Sequence, residues 1–147
     1  MYRHILVPTD GSPVSLKAAK AAAKLARTMK AKLTALYVIA PFAPPSGAGY
    51  VFSDGYIQKQ YMEGMRKHAD QALAKVKRSA AAERVTCEAI SVIGRTPWEA
   101  IIAAARSRKC DLVVMGSHGR RGLMGVLLGS ETTKVLTHSK VPVLVCR

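Results

Sequence analysis

Short apolar runs alternate with longer, helix-patterned segments from one end of the 147-residue chain to the other. Nothing else in the sequence constrains the fold as strongly. Consecutive strands separated by a helix run parallel, and a parallel sheet must be covered on both faces. Ile5-Leu6-Val7 is the first run, and the Pro8-Thr9-Asp10-Gly11-Ser12 segment behind it has turn chemistry. Ser12 before Pro13 suits an N-cap and a first helical position, and predicts a helix to about Met29 with Leu16, Ala19, Ala22, Ala26 and Met29 facing inward. Residues 33–40 read as the second strand, ended by Pro41, and residues 41–55, rich in Pro, Gly and Ser, as a loop of the lid or binding kind. A second helix is expected from Tyr56 to about Ala82, with Met62, Met65, Ala69, Leu73 and Val76 inward. The third strand is expected over 85–93, with Val85, Cys87, Ala89 and Val92 on apolar positions. Thr96-Pro97 then opens a third helix whose Trp98, Ile101, Ile102 and Ala105 face the core. Residues 111–115 form a fourth apolar run, a Gly-rich stretch covers 116–129, and a short helix follows over 130–138. Residues 141–146 close the chain as a strand whose Pro142 suits a sheet edge.

The expected architecture is one α/β domain over residues 1–147, a five-stranded, mostly parallel, doubly wound sheet with helices on both faces. With right-handed crossovers and the order 3-2-1-4-5, the winding reverses between the first and fourth strands, where such sheets bind ligands. Residues 8–12 are then expected to face residues 116–130 across one crevice.

Composition removes whole classes. A chain that is 49% hydrophobic and 22% charged is globular rather than disordered. No apolar run approaches the roughly 20 residues of a membrane span, and the apolar stretch before Pro8 is too short for a secretory core, so a cytoplasmic location without membrane partners is expected. Cys87, Cys110 and Cys146 are odd in number, lack Cys-x-x-Cys spacing and read as reduced core thiols, and the scattered His4, His68, His118 and His138 make no metal set with them. The formal charge is +14 at pH 7, attractive to any polyanion. Much of it sits at helical spacing among alanines, as on a solvated face. Aromatic residues are only 5%, so neither a stacking platform for single strands nor a recognition-helix motif is evident, and nucleic acid is not the expected partner.

The chemistry concentrates in Gly116-Ser117-His118-Gly119, followed nine residues later by Gly129-Ser130. Glycine directly after a strand lets the backbone turn and approach a ligand closely, and the second pair opens a helix whose free amides favour a phosphate. Two anion sites on one crevice suit the phosphate chain of a nucleotide. Neither a Walker loop nor a GxGxxG after the first strand is present, so P-loop hydrolysis and Rossmann dinucleotide binding are not supported.

In these residues the chain resembles the universal stress protein family, and its ATP-binding subclass. The likeness runs through Pro8-Thr9-Asp10-Gly11-Ser12, Leu36-Tyr37-Val38 and Met115-Gly116-Ser117-His118-Gly119-Arg120, and the family signature G-x2-G-x9-G-(S/T) is met by Gly116, Gly119, Gly129 and Ser130. The resemblance implies a flavodoxin-like single domain that pairs through its last strand into a homodimer. Its ligand would be ATP, or AMP or ADP, with or without Mg²⁺. By position, Pro8, Thr9 and Asp10 would border the nucleotide, the Val38 backbone would meet adenine, and Met115 and Gly116 would line the adenosine. Ser117 and His118 lie within the motif, while Gly119, Gly129, Ser130 and the Glu131 backbone, with Thr132 in the same helical turn, would hold phosphates. Asp10 would stand near a phosphate-bound Mg²⁺. Arg120 is placed for charge-assisted contacts, and the Glu131 carboxylate is expected to point away from phosphate. No catalytic set is recognisable, and at most slow ATP hydrolysis would fit these residues. A dimeric, ATP-responsive regulator of the stress response is therefore the expectation. The alternative is a basic protein that binds nucleic acid or another acidic partner without using nucleotide.

Overall fold

Residues 1–44, 55–118 and 128–147 are described by the structure, a computed structural model. Nine elements follow one another: β1 (His4–Pro8), α1 (Pro13–Met29), β2 (Lys32–Ile39), α2 (Tyr56–Ala82), β3 (Cys87–Ile93), α3 (Pro97–Ser107), β4 (Leu112–Gly116), α4 (Ser130–His138) and β5 (Val143–Cys146). The strands form a single sheet in the order β3-β2-β1-β4-β5. Every pairing in it is parallel, so the sheet is wholly rather than mostly parallel. The winding reverses between β1 and β4, as the alternation of elements predicts.

Side-chain alternation divides the core into two layers. Ile5 and Val7 of β1, Leu33, Ala35, Tyr37 and Ile39 of β2, and Leu112 and Val114 of β4 face α1 and α2. Their neighbours Leu6, Leu36, Val113 and Met115 face α3 and α4, where Ile101, Ala105 and Val135 meet them. Each fully buried Val, Leu or Ile contributes about 1.5–3 kcal/mol of hydrophobic stabilisation. On the sheet side α1 buries five alanines and Ser15, so it lies close to the strands. Ala18 and Ala23 are buried beyond the expected stripe, while Leu16 and Met29 sit at its margins. In α3, Ala104 is buried and Ile102 only half so.

Three helices end in the same way. Lys30, Arg84 and Lys109 take up left-handed backbone at φ +54°, +56° and +53°. The next amide in each case returns to a helical carbonyl: Ala31 to Ala26, Val85 to Ala80 and Cys110 to Ala105, at 2.8–2.9 Å. A left-handed basic residue costs roughly 1–2 kcal/mol, while a cation at a helix C-terminus is electrostatically favoured. This closure moves the start of the third strand, because the Val85 amide belongs to the end of α2 and pairing begins at Cys87. The fifth strand likewise starts at Val143 rather than 141. The Ser139 hydroxyl donates to the Val141 carbonyl and accepts from its amide. Residues 45–54 of the expected binding loop lie outside the described residues. The three thiols are free. Burial, with the Asp111 charge, pushes Cys110 up to about 11, and burial also raises Cys87 and Cys146.

At the opposite end of the sheet from the expected crevice, the Asp111 carboxylate accepts from the Arg3 and His4 amides at 2.8 and 2.9 Å, tying the start of β4 to that of β1. Burial works to raise its pKa, but these backbone donors outweigh it and hold the carboxyl below its ordinary value. Asp111→Ala is expected to cost about 1–2 kcal/mol at neutral pH. A depressed carboxylate stabilises fully above its unfolded-state pKa, so the gap between parent and variant should stay constant down to about pH 4 and narrow below it. Urea unfolding across that range measures the gap.

Candidate functional site

Both glycine-bearing turns lie at the carboxyl end of the sheet. Behind β1, the Thr9 amide donates to the Leu36 carbonyl at 2.9 Å and extends the pairing with β2 by one residue. The chain then turns through Gly11, whose φ of +80° is one that L side chains rarely adopt. Short polar side chains lock this turn. The Thr9 hydroxyl lies 3.0 Å from that of Ser15 and accepts from the Gly11 amide. The Asp10 carboxylate accepts from the Ser12 amide at 2.9 Å, and the Ser12 hydroxyl caps α1 by accepting from the Ser15 amide. Asp10 is thus the acceptor of an Asx turn, as its place before Gly11-Ser12 allows.

On the other side of the reversal, Gly116 ends β4 against the first turn of α1. A Cβ on Gly116 would stand 2.9 Å from Val14 Cγ1 and 3.2 Å from the Ser15 amide nitrogen. This contact brings the turn behind β1 and the end of β4 together, as the strand order requires. Ser117 is fully buried, and its amide donates to the Cys146 carbonyl of β5 at 2.7 Å. Its hydroxyl lies 3.1 Å from His118 Nδ1. The Ser117 carbonyl accepts from the Gly129 amide at 2.7 Å, which ties the end of β4 to the start of α4. Gly119 and Arg120 fall within residues 119–127 and lie outside the described residues.

Gly129 precedes α4 as an N-cap without a side chain, and no side-chain cap is made there. Because its own amide is bonded to Ser117, the donors this helix start offers are the first-turn amides of Ser130, Glu131 and Thr132. The buried Thr132 hydroxyl donates to the Gly116 carbonyl at 3.0 Å and fixes that turn against β4. The Glu131 carboxylate accepts from the Trp98 amide of α3 at 2.9 Å and faces Lys134 at 3.6 Å. Thr96, the N-cap of α3, makes no side-chain cap, so Glu131 supplies one from a neighbouring helix. The starts of α1 and α4 flank Gly116, and their positive dipole ends favour negative charge there.

The remaining site residues divide in two. Pro8 and Met115 are buried strand residues at the same end of the sheet. Val38, half-buried on β2, pairs with Val92 and packs with the α3–α4 layer, and a Cβ on Gly94 would lie 3.4 Å from its Cγ1. Three residues were not anticipated. His68, Gln71 and Lys75 of α2 line an open groove of about 140 Å³ together with Asp10, Gly11 and Ala72. Their helical spacing marks one face of α2, but nothing local in the sequence says that this face meets the turn behind β1.

Among known families, the chain matches the universal stress protein family over residues 1–147. The universal stress protein MJ0531 of Methanocaldococcus jannaschii is 36% identical, over 100% of this chain and 83% of its own. The solved structure of universal stress protein UspA from Lactobacillus plantarum superposes with a TM-score of 0.85 at 28% identity, covering 99% of this chain and 98% of that one. A universal stress protein crystallised in complex with cAMP gives a TM-score of 0.73 at 30% identity, covering 99% and 97%.

The Gly116 contact generates a direct expectation. Gly116→Ala should force α1 and β4 apart and lower stability by about 1–3 kcal/mol. Gly129→Ala, whose nearest neighbour would be His118 Cα at 3.2 Å, should cost less. Thermal unfolding of the two variants compares them; equal stabilities would contradict the assigned packing.

Proposed function

The chain belongs to the universal stress protein family, and we propose that it is an ATP-binding regulatory member, one nucleotide-binding domain over residues 1–147 that works as a homodimer. The observation that carries this reading is the pair of helix starts held around Gly116. Alpha-helix 4 begins without a side-chain cap, beside a turn so tightly packed that no side chain fits at Gly116. Ser130, Glu131 and Thr132 amides at that start suit phosphate oxygens. The cAMP complex of a relative at 30% identity supports a nucleotide over other anions.

In this reading Pro8, Thr9 and Asp10 border the nucleotide, Val38 meets the base through its backbone, and Met115, Gly116, Ser117 and His118 form the floor. Gly119 and Arg120 complete the phosphate loop, and Gly129 contributes close approach rather than its bonded amide. AMP and ADP fill the same site with fewer phosphates. Asp10 has the one carboxylate a phosphate-bound Mg²⁺ needs, although that group already accepts from the Ser12 amide. Glu131, turned to α3, leaves the helix start without an opposing charge. Dimerisation through β5 fits its edge position and the exposed Leu144 side chain.

Nucleotide content, affinity and oligomeric state test the proposal. Mass spectrometry of small molecules released from the purified protein is expected to find adenine nucleotide near one per chain, and calorimetry should detect binding of Mg·ATP. Gly129→Val, folded by circular dichroism, should lose at least roughly tenfold in affinity, about 1.4 kcal/mol. No released nucleotide together with no heat on adding Mg·ATP would refute it. Light scattering should report twice the 15.8 kDa chain mass for the parent and a single chain for Leu144→Glu, while an unchanged dimer would remove β5 as the interface.

A further inference from the structure

The charge of this protein is laid out in space, not only in excess. Lys17, Lys20, Lys24 and Arg27 recur along α1 at intervals of three, four and three residues, which stacks them on one exposed face. From Lys17 to Arg27 the row covers ten residue steps, about 15 Å of helix. Alpha-helix 1 contains no acidic residue. Beside it runs α2, met within its length by Gly11 against Ala72 and at its C-terminal end by Arg27 to Glu83 at 3.1 Å. Lys75 borders this seam through the groove it shares with Gly11, and Arg78 follows one turn on at the exposed surface of α2. Glu83 meets this surface at Arg27, Asp10 lies beside Lys75 in the shared groove, and α2 also carries exposed Glu63 and Asp70. Glu88, Asp111 and Glu131 are engaged elsewhere, with Arg108, with the Arg3 and His4 amides, and with the Trp98 amide.

Which partner fits follows from what the surface lacks. Among the described residues the exposed large apolar side chains are Met1, Tyr56, Ile57, Ile93, Leu136 and Leu144, and none lies on the cationic rows. Without an aromatic or aliphatic anchor the face has no hot spot for a protein partner, no wedge for a lipid layer and no platform for unstacked bases. What it offers is an array of point charges, mostly lysine, which contact phosphates without reading bases. We propose that the α1–α2 face binds the phosphate backbone of double-stranded nucleic acid without sequence preference, independently of the nucleotide crevice. About five phosphates are engaged, Arg27 being shared with Glu83. The lack of stacking residues that argues against single strands leaves this mode untouched.

Fluorescence anisotropy of a short labelled DNA duplex of arbitrary sequence tests the proposal. Binding is expected at about 50 mM salt, with log K falling against log salt at a slope of roughly −4 to −5, a loss of several hundredfold by about 200 mM. Lys17→Glu/Lys20→Glu/Lys24→Glu should abolish it. Arg95→Glu/Arg106→Glu/Lys140→Glu, an equal change of net charge at exposed positions outside α1 and α2, should retain most of it. Calorimetry with Mg·ATP serves as the control of folding and should be the same for the parent and both variants. Equal losses in the two triple variants would assign binding to net charge and overturn the proposal. So would absence of duplex binding at low salt, or binding to phosphatidylserine vesicles in its place.

Discussion

A contact with no room for a side chain organises this end of the molecule. Gly116 closes β4 against the backbone of Val14 and Ser15, so the strand end and the start of α1 are set by main-chain packing. Everything else at the crevice is referred to that contact. The Gly116 carbonyl receives the Thr132 hydroxyl, which fixes α4. The adjoining Ser117 joins β5 through its amide and Gly129 through its carbonyl. One tight approach thereby orients two helix starts whose sequence positions are more than a hundred residues apart.

Polar groups near the crevice serve two ends that compete. A helix start that is to hold an anion must keep its amides free, yet buried polar groups need partners. Here the division is by residue. Ser12, Asp10 and Thr9 satisfy the turn before α1, and Glu131 satisfies α3, while α4 is left without a side-chain cap. Glu131 would oppose an anion if it faced the crevice. Engaged by the Trp98 amide and Lys134, it is instead part of the α3–α4 contact.

The fold was legible because its signals are local. Alternating runs imply parallel strands, Ser12-Pro13 starts α1 where expected, and the placement of Gly116 and Gly129 after a strand and before a helix is readable without coordinates. What escaped the sequence depends on partners distant in the chain. The Gly129 amide reads as a free donor until it is seen bonded to the Ser117 carbonyl. His68, Gln71 and Lys75 read as ordinary helix surface until Gly11 lands on Ala72. Val85 reads as strand because its role in ending α2 rests on Arg84 adopting left-handed backbone, a conformation more often marked by glycine. Val141 reads as strand for a similar reason, since a single hydroxyl, that of Ser139, withdraws both of its backbone groups.

The central claim is that the first-turn amides of α4 hold an anion beside Gly116, in a crevice bordered by the turn behind β1. Backbone amide chemical shifts of the ¹⁵N-labelled protein, followed through a titration with Mg·ATP, test it at the residues themselves. The account predicts saturable shifts at Val38 and in residues 9–12, 115–120 and 129–132, with the amides of Ser130, Glu131 and Thr132 moving most. Shifts concentrated on the lysine-rich faces of α1 and α2, with these amides unmoved, would contradict it.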